Sequence, residues 1–227
     1  SEGAGEHAIR EKKRQLIRQR ESTGKIYEKR RINPLLLLVL INTAIFFLGV
    51  CFEITKGYDP FIRFGIQDND LIMRGEIWRL FTPMFLHADA AHMIGNMLML
   101  IYLGRVALDY YTVREFLSIY LLSGVTGNIL SLCFTDYLSL GASGAVMGLG
   151  GMLIYRMFFG KYSKAFRQAG NYAVFAVMIV FNLFYGIFAV NSNINNFGHF
   201  GGFFGGFAVS AVIDALRRRR ENHGREV

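Results

Sequence analysis

The chain has 227 residues, of which 52% are apolar and 15% aromatic, and its net charge at neutral pH is +8. Such a positive charge fits either a nucleic-acid-binding protein or a membrane protein with basic flanks, so the distribution of the charges has to decide. The two cysteines, Cys51 and Cys133, have no framework spacing, and we expect them to be small apolar residues rather than a disulfide.

Residues 1–33 are polar and mixed in charge, and they contain ten of the 25 lysines and arginines. They have too few apolar positions to bury a core, so we expect a basic arm that is flexible or forms a short surface helix.

Six apolar segments follow the arm, and each has roughly the 17 to 25 residues that a helix needs to cross about 30 Å of hydrocarbon. In lipid they must be helices, because an open strand would leave its backbone groups unpaired. The first is long for a signal peptide and lacks a small-x-small cleavage site, so we expect it to be retained. The predicted spans are Pro34–Phe52, about Ala91–Leu108, Arg114–Phe134, Ser143–Phe159, Asn171–Val190 and His199–Leu216.

The sequence therefore predicts an all-α membrane protein: a six-helix bundle over residues 34–216, followed by a basic tail at 217–227. With a cytoplasmic N-terminus, only four basic residues, Lys56, Arg63, Arg74 and Arg79, would lie outside. This positive-inside pattern places both termini in the cytoplasm. It indicates anionic lipid head groups, and no nucleic acid, as the partners of the basic segments.

The connection Glu53–Ala90 is the one long external loop of this topology. It carries aromatic and apolar residues among charges, which suits an amphipathic segment at the membrane interface. The other connections are short, so neighbouring helices should run mostly antiparallel.

Polar side chains inside the spans are few, and such residues are candidates for a functional site. His92 and Asn96 begin span 2, Ser143 begins span 4 and His199 begins span 6. Even-numbered spans start at the outer face in this topology, so all four residues should lie at the same depth.

A serine becomes a nucleophile when a base takes its proton, and histidine, with an ordinary pKa of about 6.5, suits that role. Gly141, Gly144 and Gly148 surround Ser143, and span 6 has a glycine-rich face at "GHFGGFFGGF". Small residues let membrane helices approach closely. We therefore expect Ser143 and His199 to meet where spans 4 and 6 touch.

Attack on an amide carbonyl also needs donors for the oxyanion. The first N–H groups of span 4 point outward with the positive end of the helix dipole. His92 and Asn96, spaced i and i+4, can add side-chain donors from span 2.

Each of these signals alone has a plainer interpretation: a back-bonded serine, a packing glycine face, or a histidine that serves as ligand or proton relay. "GASG" followed by Ala145 does not complete the G-x-S-x-G elbow of soluble hydrolases. A metal site is not expected, because no H-E-x-x-H is present and the nearest carboxylate, Asp89, lies in a loop.

Three blocks, "EIWRLFTPMFLHADAAHMIGN", "GASGAVMG" and "GHFGGFFGG", resemble the signature blocks of the rhomboid family of intramembrane serine proteases. The resemblance covers about residues 34–216. It implies Ser143 as nucleophile, His199 as general base and then acid, and an oxyanion hole from His92, Asn96 and the Ser143 N–H.

The same resemblance implies structural roles for residues around the site. Trp78 and Arg79 match the family's Trp-Arg pair, His87 a histidine that orders the loop, and Gly202 a glycine that lets helices 6 and 4 touch. Met147 departs from the family, in which many members have an aromatic residue there under the imidazole. A thioether can pack on an imidazole edge, so we expect activity.

The predicted function is thus an intramembrane serine endopeptidase, without a cofactor, that cleaves membrane proteins in or beside their spans. The span Asn171–Val190, rich in bulky aromatics, is the predicted substrate gate. An inactive rhomboid-like protein that binds transmembrane clients is the alternative, and a small channel or transporter is a weaker one. The short form favours a bacterial plasma membrane. The sequence leaves the substrate and the oligomeric state open.

Overall fold

The computed structural model of the protein describes residues 2–26, 33–136, 138–168, 173 and 195–223. The regular structure of these residues is helical, apart from one isolated antiparallel bridge between Gln67 and Ser139. The helices are α1 (Glu2–Thr23), α2 (Pro34–Lys56), α3 (Pro60–Gly65), α4 (Asn69–Met73), α5 (Ala90–Tyr110), α6 (Val113–Phe134), α7 (Ser143–Phe158), α8 (Ser163–Gln168) and α9 (Asn196–His223). Two short 3₁₀ helices, Ile77–Leu80 and Thr82–Phe85, lie between α4 and α5.

The starts of the long apolar helices carry sequence signals for helix initiation. Asn33 caps α2 and is followed by Pro34, whose missing N–H costs nothing at a first helical position. Asp89 accepts a hydrogen bond from the His92 N–H at the start of α5. Thr112 and Glu115 form a reciprocal capping box at the start of α6.

Among the described residues, α2, α5, α6 and α9 are long and apolar enough to cross a membrane. Helix α7 has 16 residues, shorter than these four. The predicted span Asn171–Val190 lies outside the described residues, apart from Ala173, so the count of six spans stays a prediction.

Helix α9 packs between α6 and α7 through two rows of glycines. Gly202 and Gly206 face α7, where a Cβ atom on either would overlap a backbone carbonyl, that of Gly144 or of Gly148. Gly201 faces α6, where its Cβ would lie 2.8 Å from the Thr126 carbonyl oxygen. The contact between the helices that begin near Ser143 and His199 was expected from the sequence, whereas the equally close contact with α6 was not.

The N-terminal arm contains a helix, which was one of the two forms expected from the sequence, and its following residues contact the bundle. Its first 22 described residues form α1, and the next three contact the bundle. The Ile26 N–H donates to the Asp109 carbonyl at 2.7 Å, and Lys25 Nζ lies 3.0 Å from an Asp109 carboxylate oxygen. The arm therefore reaches the end of α5 that is remote from His92.

Candidate active site

Ser143 and His199 lie within hydrogen-bonding distance of each other at the starts of α7 and α9. The Ser143 Oγ and His199 Nε2 are 2.8 Å apart, and both side chains are partly buried. This is the contact that lets an imidazole accept a hydroxyl proton. The glycine rows make it possible, because they bring the two helix backbones together below the pair.

The first turn of α7 has no side-chain cap among the described residues. Its N-cap position is Ala142, which cannot accept a hydrogen bond through its side chain, and the first helical bond runs from Val146 N–H to the Ala142 carbonyl. The N–H groups before Val146 therefore have no acceptor within the helix. With the positive end of the helix dipole, they form a place where a developing negative charge on oxygen is stabilised.

Gly141 sets the approach to this turn. Its φ of +131° is a conformation that other residues rarely adopt, and its N–H donates to the Pro83 carbonyl at 2.9 Å. A Cβ at this position would lie 2.8 Å from the Cε1 and Nε2 atoms of His92. Glycine therefore permits both the turn and the close approach of the His92 ring to the segment before Ser143.

His92 and Asn96 have different environments, although the sequence assigned them one role. His92 lines the same cavity as Ser143 and His199. Asn96 is buried, and its amide Nδ2 donates to the His92 carbonyl at 3.0 Å, so one of its two hydrogens is used within α5. Asn96 is not among the described residues that line this cavity.

The cavity has a volume of about 290 Å³ and opens beside the Ser143–His199 pair. Its described lining combines hydroxyl, amide and imidazole groups with apolar side chains and one carboxylate, that of Asp89. The described lining residues are Ala88, Asp89, His92, Asn128, Leu138, Ser139, Leu140, Gly141, Ser143, Gly144, Asn195, Gly198 and His199. Asn128 and Ser139 were not singled out from the sequence, since isolated Asn and Ser residues give no periodic signal.

Trp78 and Arg79 organise the loop beside the site and do not line the cavity described above. The buried Arg79 guanidinium donates to the carbonyls of Ile66 and Arg63, at 2.8 and 3.2 Å, and pairs with Glu76 at 2.6 Å. Trp78 is half exposed and donates through its indole N–H to the Phe64 carbonyl at 3.1 Å. These contacts hold the loop's backbone in place.

His87 is buried under this loop, and its ring packs edge-on against that of His92 with centroids 5.2 Å apart. Neither ring nitrogen has a hydrogen-bond partner among the described residues. Burial, with a smaller contribution from His92, lowers the pKa of His87 from 6.5 to about 3, although Asp89 acts in the opposite direction. His87 is therefore neutral at physiological pH.

The remaining predicted residues are placed as follows. Met147 lies one turn after Ser143 and is half-buried, and its effect on the His199 orientation stays a prediction. No group of three or more His, Cys, Asp or Glu side chains in the described residues could hold a metal ion. Cys51 and Cys133 are both exposed and free.

Together these features define a helical integral membrane protein in which a serine and a histidine share a polar cavity at one end of the bundle. The rhomboid domain family model matches residues 74–215, more than half of the chain. The protein belongs to the rhomboid family.

Named relatives support the same assignment. The chain is 37% identical to "Rhomboid protease GluP" of Bacillus subtilis over 77% of its own length and 34% of the relative's. It is 30% identical to "Rhomboid-like protease 1" of Toxoplasma gondii over 54% of this chain and 44% of that protein. It is 40% identical to "RHOMBOID-like protein 1" of Arabidopsis thaliana over 40% and 24% of the two lengths. The matched segment thus spans less than half of each of these relatives.

Proposed function

We propose that the protein is an intramembrane serine endopeptidase that hydrolyses peptide bonds in or next to transmembrane segments of other membrane proteins. The observation that carries the proposal is the 2.8 Å contact between Ser143 Oγ and His199 Nε2, at an uncapped helix start inside a polar cavity. The names of the relatives as rhomboid proteases point to the same class of reaction.

In the proposed mechanism, His199 Nε2 takes the Ser143 proton as Oγ attacks the carbonyl carbon of the substrate. The tetrahedral oxyanion receives hydrogen bonds from the Ser143 N–H and from the His92 ring. The protonated His199 gives its proton to the leaving amine, and the C–N bond breaks to leave an ester on Ser143. A water molecule then attacks the ester as His199 takes its proton, and His199 gives that proton to Ser143 Oγ as the ester C–O bond breaks and the acid product leaves.

The second oxyanion donor proposed from the sequence, Asn96, requires a small movement in this geometry. One of its amide hydrogens bonds to the His92 carbonyl, and the residue is buried and is not among the described residues that line the cavity. Its second amide hydrogen becomes a donor to the oxyanion only if substrate binding brings the scissile carbonyl deeper or turns the amide. Asn96 therefore has a smaller proposed share than His92.

His199 acts without an aspartate in this proposal. No carboxylate of the described residues bonds to its ring, so a Ser-His dyad takes the place of the usual triad. The imidazole must then be oriented by the helix that carries it and by its contact with Ser143.

We further propose that the site faces the outer side of a bacterial plasma membrane and that both termini are cytoplasmic. The support is the excess of lysine and arginine in the arm, in the predicted cytoplasmic connections and in the tail. A substrate helix has its amides satisfied internally, so it must unwind near the outer face before it can be cleaved. Spans with Gly, Pro or small residues at that depth are the proposed substrates.

The predicted gate at Asn171–Val190 lies outside the described residues, apart from Ala173, and it stays a proposal. A covalent tether between this segment and α5 should abolish cleavage of transmembrane substrates but not reaction with a small probe. Unchanged substrate turnover would refute the gate.

The experiment that tests the activity needs no substrate. Detergent-purified protein is treated with a fluorophosphonate probe, and the labelled residue is located by mass spectrometry. Label on Ser143 that disappears in Ser143→Ala and His199→Ala supports the proposal. Ser118→Ala, which changes an exposed serine of α6, is the matched control and should be labelled like the wild type.

A folded protein that takes no label would favour the second candidate, an inactive rhomboid-like protein that binds transmembrane clients. If labelling succeeds, His92→Ala should lower the rate more than Asn96→Ala. Loss of one oxyanion donor typically costs about 2.7 to 4 kcal/mol of barrier. Equal effects of the two variants would mean that Asn96 reaches the oxyanion as fully as His92.

A further inference from the structure

Asn195, which precedes α9, joins three separate parts of the chain beside the site. We propose that Asn195 is a positioning residue that sets His199 against Ser143. It would do so by tying the first turn of α9 to α6 and to the segment that leads into α7. This inference rests on the proposed protease function. It gives Asn195 a role in positioning the catalytic pair and no direct contact with the substrate.

The first connection is to the helix that carries the histidine. The Asn195 side-chain Oδ1 accepts from the Gly198 N–H at 2.8 Å, and its backbone carbonyl accepts from the His199 N–H at 3.0 Å. Asn195 is therefore the N-cap of α9. Any shift of Asn195 moves the turn on which His199 lies.

The second and third connections use both hydrogens of the Asn195 amide. Nδ2 donates to Ser131 Oγ of α6 and to Ser139 Oγ of the segment before α7, each at 2.7 Å. Ser131 is fully buried, and its hydroxyl lies 2.9 Å from Thr135 Oγ1, which in turn donates to the Ser131 carbonyl. With the Thr135 hydrogen used in this way, Ser131 donates to Thr135 and accepts from Asn195.

Ser139 links Asn195 to the oxyanion segment. It is held by two backbone hydrogen bonds to Gln67, at 2.9 and 3.2 Å, and it lies two residues before Gly141 and four before Ser143. The amide of Asn195 thus fixes the start of α9 relative to the chain that delivers the nucleophile. The dyad lacks an orienting carboxylate among the described residues, so this link is the polar device that fixes the distance between its members.

The chemistry of these bonds calls for an asparagine. One planar group must supply one acceptor and two donors in fixed directions, and an amide side chain does this. Aspartate keeps the acceptor for the cap but has no donors, so Ser139 and Ser131 would both have to donate to it, and Ser131 could do so only by giving up its bond to Thr135. Serine keeps a cap acceptor but has one hydrogen and a shorter reach. Both remain good N-cap residues, whereas alanine is a poor one.

This difference separates positioning from capping. If Asn195 is only a helix cap, Asn195→Asp and Asn195→Ser should behave like the wild type, and only Asn195→Ala should be impaired. If it positions the dyad, the aspartate and serine variants should stay folded, with a smaller fall in melting temperature than Asn195→Ala, but react with the fluorophosphonate probe at least about tenfold more slowly. The loss should fall on the maximal labelling rate and leave the half-saturating probe concentration unchanged.

Ser139→Ala tests the route by which Asn195 acts. It should slow labelling by itself, and the double variant Asn195→Ser/Ser139→Ala should be no slower than Asn195→Ser, because both changes break one connection. Asn196→Ser, which alters the exposed neighbouring asparagine, is the matched control and should keep the wild-type rate.

The outcomes distinguish this inference from the function on which it rests. A folded wild type that never reacts overturns the proposed function, and the positioning role falls with it. A reactive wild type with equally reactive Asn195→Asp and Asn195→Ser overturns the positioning role alone and leaves Asn195 as a cap. If the effects of Asn195→Ser and Ser139→Ala on the labelling rate were fully additive in the double variant, Asn195 would not act through Ser139.

Discussion

The two ends of the helix bundle stabilise their polar groups in opposite ways. We call the end that carries Ser143 and His199 the site end, and the end that carries Arg156 and Arg217 the closed end. At the site end, where α7 and α9 begin, the groups that meet are mainly neutral: a hydroxyl, imidazoles and the Asn195 amide around an open cavity. At the closed end, where these helices finish, the groups are charged and paired. A site that moves protons needs neutral groups within reach of water, whereas an end that only holds helices together can use charges.

Arg156 is a buried charged residue at the closed end. Its side chain is about 1% exposed, and its guanidinium carbon lies 4.3 Å from the centre of the Tyr110 ring, with three further rings within about 6 Å. Its Nη2 donates to the Gly24 carbonyl at 3.3 Å, while its Nε has no partner among the described residues. The cation is therefore stabilised mainly by aromatic faces and by one carbonyl of the arm.

Around this group, charged pairs join the ends of different helices. Arg217 of α9 pairs with Glu115 of α6 at 2.5 Å, and Lys161 pairs with Glu221 at 2.5 Å. Asp214 is buried and accepts from the Tyr155 hydroxyl at 3.4 Å. The site end is held by hydrogen bonds between neutral groups and the closed end by charged pairs, which leads us to expect that changes at the two ends affect different properties.

The largest effect on stability should come from the glycine rows of α9, such as Gly202 and Gly206, which run between the two ends. In Gly206→Val the new side chain would overlap the backbone carbonyl of Gly148, so α7 and α9 must separate. We expect a loss of about 3 kcal/mol of stability, the upper end of the usual cost of overpacking, since an overlap with backbone cannot be relieved by a rotamer change. Thermal unfolding in detergent measures the loss, and Ala208→Val, on an exposed face of α9, is the control. A variant that melts with the wild type would show that the helices are not held this closely.

The second effect should be confined to the closed end. Arg156→Lys keeps the charge but replaces a flat guanidinium with an ammonium that cannot stack on Tyr110 or reach Gly24 in the same geometry. We expect a loss of about 2 kcal/mol, the scale of a desolvated cation–π contact. Fluorophosphonate labelling of the folded fraction should remain unchanged.

Arg219→Lys changes an exposed arginine of α9 and should leave stability as it is. If Arg156→Lys slows labelling of Ser143 while the protein stays folded, the two ends are coupled along α7 and do not control separate properties.

Sequence reasoning reached the features that follow from composition and periodicity. The apolar segments that the structure describes are helices, because nothing else satisfies their backbone in lipid, as in Pro34–Lys56. The meeting of Ser143 and His199 followed from glycines spaced to let two helices touch. The family resemblance added the roles, which geometry alone does not assign.

Other features could not be predicted, because they depend on pairs of residues far apart in the chain. Asn195, Ser131 and Ser139 have no shared pattern, and only the fold brings them together. The same holds for Arg156 and its aromatic neighbours from α5 and α8. The bond from Asn96 to the His92 carbonyl was also missed, because i and i+4 spacing fits both a shared site and a bond within the helix.

The third prediction concerns pH and the site end. Because burial holds the pKa of His87 at about 3, the unfolded chain binds a proton below pH 6.5 and the folded protein resists it. Stability should therefore fall as the pH drops from 6.5 towards 3, by up to about 2 kcal/mol at pH 5. Melting curves at several pH values should show a flatter dependence in His87→Gln. His7→Gln, at an exposed histidine of α1, should keep the wild-type slope.

The smallest effect on stability, about 1 to 2 kcal/mol, should come from the arm. Gly24 has a φ of +70°, and a Cβ there would lie 2.5 Å from Arg156 Nη2 and also overlap the Tyr162 ring. Gly57 has a φ of +76° with no neighbour within 4 Å of its Cβ position. Alanine at either position should lower the free energy of unfolding by a similar amount, about 1 to 2 kcal/mol, because both backbones are left-handed. Only Gly24→Ala should in addition release the arm from the closed end.

Limited trypsin digestion distinguishes the two glycines. Lys25 is held by Asp109, so cleavage after Lys25 requires the arm to leave the bundle, whereas Arg14 of α1 is exposed in either case. The Lys25 cut, identified by mass spectrometry and compared with the Arg14 cut, should become faster in Gly24→Ala and stay slow in Gly57→Ala. Equal cleavage in both variants would mean that the arm is not held by contact with Arg156 and Tyr162. The closed end would then be formed by the bundle helices without the arm.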